Sequence, residues 1–406
     1  MPPAQRLKRA LRARQRAMLS FASALVRIPT ENPPGARYDE CVALIKDELQ
    51  RCGMVARDVV CRSAAALGAR RSVIAEVGTG GPLVYFHGHY DVVPAQERSQ
   101  FKPIRRGSRL IGRGAADMKC GLAMMVHTVG ALADADLLAT GRVALVMVPD
   151  EETAGELGTA ALARGGYLQS GAIGMLTPEP SGGVIWHASR AALTLRVTVR
   201  GRAAHVALSR GGANAFTAMT GLAARLSRLE AKVAARRTKY RVRPSSAARS
   251  ILLVGGESAA GTNFNIVPDR AVFTIDRRLN PEEDFETERA RLLELILTKQ
   301  LPGIEVSVET IQEGRASVTP LDAPLTRALR RSVRAITGRT ARVELCPGLL
   351  ETRHYVGAGI PAVAYGPGDL ASAHGPREFV STARLFECAE IYGLTALSLI
   401  AASHTS

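Results

Sequence analysis

No uninterrupted apolar run in this 406-residue chain approaches the roughly 20 residues that cross a bilayer. A membrane partner is therefore not expected. The N-terminus lacks the apolar core and small-residue cleavage site of a secretory signal. Cysteine is scarce: the six residues at 41, 52, 61, 120, 346 and 388 form no CxxC pair. Their scatter favours reduced thiols in a cytoplasmic protein over a disulfide framework. The P-loop, HExxH and GxSxG signatures are missing too, which removes three common site chemistries. Val77-Gly78-Thr79-Gly80-Gly81 is glycine-rich, but it leads into a strand pattern instead of a helix and reads as a turn.

Acidic residues are outnumbered, 37 Asp and Glu against 53 Lys and Arg, for a formal charge of +16. Part of the excess lies in Arg6, Lys8, Arg9, Arg12, Arg14 and Arg16, and part between Lys232 and Arg249. Such charge can mark nucleic-acid binding. The basic stretches lack interleaved aromatics, however, and no DNA-binding motif is present. The reading adopted is a solvated basic face with no nucleic-acid partner, whose field helps draw in a carboxylate-bearing substrate. The 46% apolar and 22% charged content is ordinary for a globular protein, and the length suits two domains.

What is present is a recurring strand-end pattern. Leu83-Val84-Tyr85-Phe86 reads as a buried strand running into Gly88-His89-Tyr90-Asp91-Val92-Val93-Pro94. Arg142 to Val148 runs into Pro149-Asp150-Glu151-Glu152, and Ile173 to Leu176 into Thr177-Pro178-Glu179-Pro180. Ala362 to Tyr365 is followed by Gly366-Pro367-Gly368 and then Ala373-His374-Gly375. A further carboxylate, Asp117, stands in Gly112-Arg113-Gly114-Ala115-Ala116-Asp117-Met118-Lys119, just before a helical pattern. Continuous apolar runs suit a parallel sheet covered on both faces, and open α/β sheets place their chemistry past the C-terminal strand ends. Gathering so many carboxylates there is costly unless cations neutralise them. Mixed histidine and carboxylate donors suit zinc or a similar divalent ion.

Helix and strand patterns alternate up to about residue 188, as in a doubly wound, mainly parallel sheet. Residues 1–17 read as a basic helical extension, and 18–28 and 38–52 as helices around the loop Pro29 to Gly35. From 193 the period changes to two. Strand, helix, strand, strand, helix, strand then follow, near 193–199, 212–230, 251–254, 271–275, 283–299 and 304–309, which is the ferredoxin-like order. The expected division is a catalytic domain at 1–190 and 312–406, with an inserted ferredoxin-like α+β domain at 191–311. The first domain's alternation then resumes with helices at 323–337 and 381–401.

The motifs GHYDVVP, GRGAADMK, PDEE, TPEP, NIVPD and AHGPRE occur in an order that resembles the co-catalytic di-zinc amidohydrolases and peptidases. That family includes acetylornithine deacetylase, succinyl-diaminopimelate desuccinylase, aminoacylase and carboxypeptidase G. The resemblance covers the chain from about Met18 to Ala401. It implies two divalent ions, zinc first, with cobalt or manganese open. His89, Asp117 and Glu179 would hold one ion, and the bridging Asp117 with Glu152 and His374 the other. Glu151 would be the general base, with Asp91 orienting His89. His205, in Gly201-Arg202-Ala203-Ala204-His205, would reach a partner subunit's site, implying a homodimer paired through the inserted lid and dimerisation domain. Asn265, Arg278 and Arg353 would bind substrate; for the arginines structural salt bridging competes, and for His205 a surface-loop role. Domain closure is implied, with hinges near 188–192 and 309–314.

The chain departs from the family pattern at Cys120, where glycine is common, at Glu351, where aspartate is usual, and at Val206-Ala207-Leu208-Ser209. These changes bear on substrate choice more than on metal chemistry. His87, two residues before His89, is the residue most easily mistaken for a ligand, and Trp186 reads as packing. The expected activity is hydrolysis of an N-acyl amino acid that carries a free carboxylate. Cleavage of small peptides by a carboxypeptidase or dipeptidase is the alternative, and a non-catalytic binding protein with a basic face a distant third.

Overall fold

The computed structural model describes residues 1–62, 69–153, 155–298 and 301–404. They form two compact units: Met1–His187 with Val318–Glu344 and Glu351–Ser406, and Ala188–Ser317 with Leu345–Leu350. The expected boundary at 311/312 lies inside the strand Glu305–Gly314.

The first unit is built on a nine-stranded sheet. At its centre Arg142–Val148, Leu83–His89, Gly174–Thr177 and Ala362–Ala364 lie side by side and parallel. Ala69–Gly78 and Ala56–Arg62 extend one side as an antiparallel pair. Every residue of Leu83–His89 is buried, as a strand covered on both faces requires. Alternate side chains serve opposite faces. Val84, Phe86, Val143, Leu145 and Met147 join one core, while Leu83, Tyr85, Ala144, Val146 and Val148 join the other.

The helices Pro3–Arg27, Lys119–Asp134 and Thr382–Ala402 supply nearly half of the larger core. The first departs from the sequence reading: it is one continuous helix, not a basic extension followed by a second helix. No glycine or proline interrupts residues 4–27, and Leu7, Leu11, Met18 and Leu25 are all buried along it. A basic outer face therefore does not detach it from the core. The closing helix Thr382–Ala402 is long and apolar enough to cross a membrane by length and composition alone. Glu387 and Glu390 interrupt its apolar run, and Leu385, Ile391, Tyr392, Leu399 and Ile400 pack in the core.

The second unit carries a four-stranded antiparallel sheet in the order Ile251–Ala260, Arg270–Leu279, Ala191–Arg200, Glu305–Gly314. That is the ferredoxin-like arrangement. The helices Ala215–Ala234 and Phe285–Leu297 share its core. Each is N-capped by a side chain: Asn214 accepts from the Thr217 amide at 3.1 Å, and Asp284 from the Thr287 amide at 2.8 Å. The strand from Ile251 runs to Ala260, past the end at 254 expected from the sequence. A bulge between Val254 and Ser258 carries it on, with Gly255 in the left-handed region at φ +83°.

Candidate metal centre

The parallel order brings the strand-end loops together. His89 is the last residue of Leu83–His89. Glu151 and Glu152 open a short turn, Glu151–Thr153, just past Arg142–Val148. Glu179 lies two residues beyond Gly174–Thr177, and His374 on the loop after Ala362–Ala364. Asp117 stands two residues ahead of the helix Lys119–Asp134. Glycine allows the close approach of these loops: a Cβ on Gly366 would lie 2.1 Å from the Glu179 carbonyl oxygen, and one on Gly368 2.3 Å from that of Ala116.

Asp117 sits at the centre. Its Oδ1 is 3.2 Å from His89 Nε2 and its Oδ2 3.3 Å from His374 Nε2. His374 Nε2 is also 3.4 Å from Glu152 Oε1. Two groups of candidate ligands follow, His89, Asp117 and Glu179 on one side and Asp117, Glu152 and His374 on the other, with ligand atoms inside 4.8 Å of one another. These are the groupings that the family resemblance implied.

Residues around the ligands fix their directions. Asp91 Oδ1 lies 3.3 Å from His89 Nδ1. The same carboxylate accepts hydrogen bonds from the amides of Glu151 at 3.3 Å and Glu152 at 3.1 Å. Asn32 Nδ2 donates to Asp91 and to Thr153 Oγ1, each at 2.9 Å. Asp150, at φ +68°, is held by Arg70 Nε at 2.8 Å, and Arg70 also reaches the Pro34 carbonyl. Glu378 accepts from the amides of Ala116 and Asp117 at 2.9 and 3.1 Å, and pairs with Arg113 at 2.6 Å. Arg113 in turn donates to the His374 carbonyl at 3.1 Å. His374 has φ +63°, and such positions persist only where surrounding bonds hold them.

Sequence reasoning missed Asn32, Arg70, Asp150, Arg113 and Glu378 as supports. Arg113, Asp150 and Glu378 stand inside quoted motifs, which is a signal. Their partners lie far off in sequence, 265 residues apart for Arg113 and Glu378, so spacing could not pair them.

The electrostatics call for cations. Burial, with the charges of Asp117 and Glu152 added, pushes Glu179 up to about 8. Its Oε1 is buried and has no hydrogen-bond partner among the described residues. Burial likewise lifts Glu151 well above the ordinary carboxylate range, with Glu179, Glu152 and Glu351 adding to it, and lifts Glu152 as well. Bonds to Asp117 and Glu152 raise His374 to about 10. Asp117 is opposed by burial, yet the two histidines hold it below its usual range. A divalent cation among these donors supplies the positive charge that such a cluster otherwise draws from protons. The residues fit that group: two imidazoles and three carboxylates, one of which has an orphaned oxygen.

The remaining candidates are placed as follows. Arg353 is buried in the first unit and lies 3.0 Å from Glu351, its Nη2 to the buried Oε1, as salt bridging would have it. Arg278, in the second unit, holds Asp276 with two nitrogens at 2.8 Å. His205 is exposed there, its Nδ1 accepting from the Ala207 amide at 3.2 Å. The backbone next to it pairs with Asn265, Val206 N to Asn265 O at 2.9 Å, so these two candidates are neighbours. His87 belongs to neither ligand group; its Nδ1 meets the Tyr355 hydroxyl at 3.1 Å, and burial lowers it to about 4. Cys120 is fully buried, and burial raises its thiol, which makes it packing.

A parallel sheet that gathers two histidines and several carboxylates at its strand ends defines a metal-dependent hydrolase. Residues 85–398 match the model of peptidase family M20/M25/M40, and the chain belongs to that family of metal-dependent amidohydrolases and peptidases. A curated relative, the succinyl-diaminopimelate desuccinylase of Gluconacetobacter diazotrophicus, is 29% identical over 388 residues, covering 92% of this chain and 94% of the relative. A dipeptidase of Saccharomyces cerevisiae superposes with a TM-score of 0.80 at 12% identity, over 99% of both chains. A metallo-carboxypeptidase of the M20 family from Sulfolobus solfataricus gives 0.76 at 18% identity, over 94% of this chain and 99% of the other. The two structures share the fold of this chain.

Proposed function

We propose that the protein removes the acyl group from an N-acyl amino acid whose free carboxylate lies next to the scissile amide, with two divalent ions, zinc first. The observation that carries this reading is the position of Glu151. It stands next to the candidate ligand Glu152, on a turn whose two amides are held by Asp91, and its own carboxylate belongs to neither ligand group. When bound, the ions polarise the scissile carbonyl and acidify the attacking water. Glu151 then accepts the water proton at a carboxylate oxygen and returns it to the leaving amine nitrogen. Asp91 keeps the His89 ring and the Glu151 turn in one orientation throughout.

Relatives named as desuccinylases favour an acyl substrate. Fold neighbours that are a dipeptidase and a carboxypeptidase keep peptides as the second reading. The basic balance of the chain favours an anionic substrate. Two further parts of the proposal concern assembly and place. The second unit pairs two copies of the chain: its sheet ends in Ile251–Ala260, where Ile251 and Leu253 are 43% and 52% exposed, an edge of the kind that pairing covers. His205 acts across that pairing, with Asn265 beside it. Six free cysteines support a cytoplasmic location.

The test is amine release from matched N-succinyl, N-acetyl and dipeptide forms of the same amino acids, with zinc or cobalt added and with chelator. The reading predicts metal-dependent turnover led by an N-acyl substrate. Turnover led by dipeptides supports the second reading, and turnover unaffected by chelation contradicts both.

A further inference from the structure

A second gathering of metal-binding side chains lies away from the catalytic cluster. Glu48 and Cys52 stand four residues apart at the end of the helix Tyr38–Arg51, and His127 faces them from Lys119–Asp134. All three are buried, with one ligand atom from each inside 4.8 Å of the others. His127 is 1% exposed, and neither ring nitrogen has a hydrogen-bond partner among the described residues. Its Nε2 lies 3.3 Å from Glu48 Oε1, in ion-pair range. A buried imidazole in that condition is costly in the metal-free protein.

We propose that Glu48, Cys52 and His127 form a third, non-catalytic metal site that takes a zinc-class divalent cation and clamps the helix Tyr38–Arg51 to Lys119–Asp134. Thiolate, imidazole and carboxylate together select zinc or cobalt over hard cations such as magnesium or calcium. The surrounding donors have the arrangement that metal ligands need. Arg51 Nη1 bonds Glu48 Oε2 at 2.9 Å, leaving Oε1 for the ion. Arg14 Nη1 donates to Cys52 Sγ at 3.1 Å, and Asp134 balances the Arg14 charge at 2.7 Å. Arg14 can lie there because residue 130 is glycine: a Cβ would stand 2.7 Å from its Nη1.

Access is provided as well. A groove of about 520 Å³ between the helices Pro3–Arg27 and Tyr38–Arg51 is lined by Glu48 and Arg51, and Glu48 is common to groove and cluster. Burial raises the Cys52 thiol, so metal binding releases its proton to solvent and tightens with pH. Neither catalytic trio contains sulfur, which gives this site its own optical signature.

Titrating the metal-free, full-length protein with cobalt tests the proposal. The expected result is a thiolate-to-cobalt charge-transfer band in the near ultraviolet, with one equivalent more cobalt bound than in Cys52→Ser. The band is lost in Cys52→Ser, with native circular dichroism confirming the fold, and is retained in His89→Ala, which disables a catalytic trio. No band in the wild-type protein at saturating cobalt overturns the proposal. So does a band that survives Cys52→Ser. The wild-type result stands whether or not the variant folds, and it is independent of hydrolytic activity.

Discussion

The carboxylate of Asp91 faces the His89 ring with one oxygen and the amides of Glu151 and Glu152 with both. One side chain therefore fixes a candidate metal ligand and the turn that carries Glu151. Glu378 does the same for the other loops, through the Asp117 amide and, by way of Arg113, the His374 carbonyl. The Arg113–Glu378 pair is fully enclosed, with side chains 1% and 0% exposed. Glu378→Gln leaves the guanidinium without its counter-charge, and breaking a buried pair in this way costs about 3–5 kcal/mol. It also loosens Asp117, for a loss of roughly 10–100-fold in metal affinity. Urea unfolding and competition with a chelating dye measure the two effects. Asn32→Ala removes the donor shared by Asp91 and Thr153, and is expected to lower turnover roughly 10-fold or more with little change in fold; steady-state kinetics beside circular dichroism check it. The candidate ligands are legible in the sequence because four follow apolar runs inside short motifs and Asp117 precedes a helical pattern inside another. Asn32 and Arg70 are not, since their roles come from contacts that only the folded chain makes.

Elements were legible where burial follows a simple period. The continuous apolar runs of Leu83–His89 and Arg142–Val148 and the alternation in Ala191–Arg200 mark a covered parallel centre and a one-sided antiparallel sheet. The N-terminal helix reads as two pieces because its charge density hides a buried stripe of leucines and a methionine, spaced widely among arginines. The stripe packs against the closing helix at Gly393, where a Cβ would come 2.6 Å from Leu7 Cδ2. Gly393→Val is accordingly expected to destabilise the first unit by about 1–3 kcal/mol through overpacking. A fall in the thermal midpoint, at unchanged metal content, is the sign to look for.

For the molecule as a whole, the stability of the metal-free protein and the increment that metal adds depend on pH in opposite ways. In the metal-free protein Glu179 binds its proton up to about 8, far above the unfolded glutamate. The folded state then holds more protons than the unfolded one, so stability falls as pH rises from the ordinary glutamate value to about 8. His374, raised to about 10, contributes stability that is full below the ordinary histidine value and is lost as pH climbs through about 10. Metal binding needs these groups deprotonated and strengthens over the same interval. Scanning calorimetry from pH 5 to 9 is expected to show a thermal midpoint that declines in chelator, and a metal-induced increment that grows with pH. A metal increment independent of pH would mean that the ion binds elsewhere.

The proposed function turns on Glu151 acting as the base of a metal-dependent amide hydrolysis. The most direct measurement is the rate of amine release by Glu151→Gln and wild-type protein on the best N-acyl substrate, at equal bound metal. A loss of roughly 10²–10⁴-fold in kcat is expected for the variant, with metal content unchanged. Equal rates for the two proteins at equal metal would contradict it.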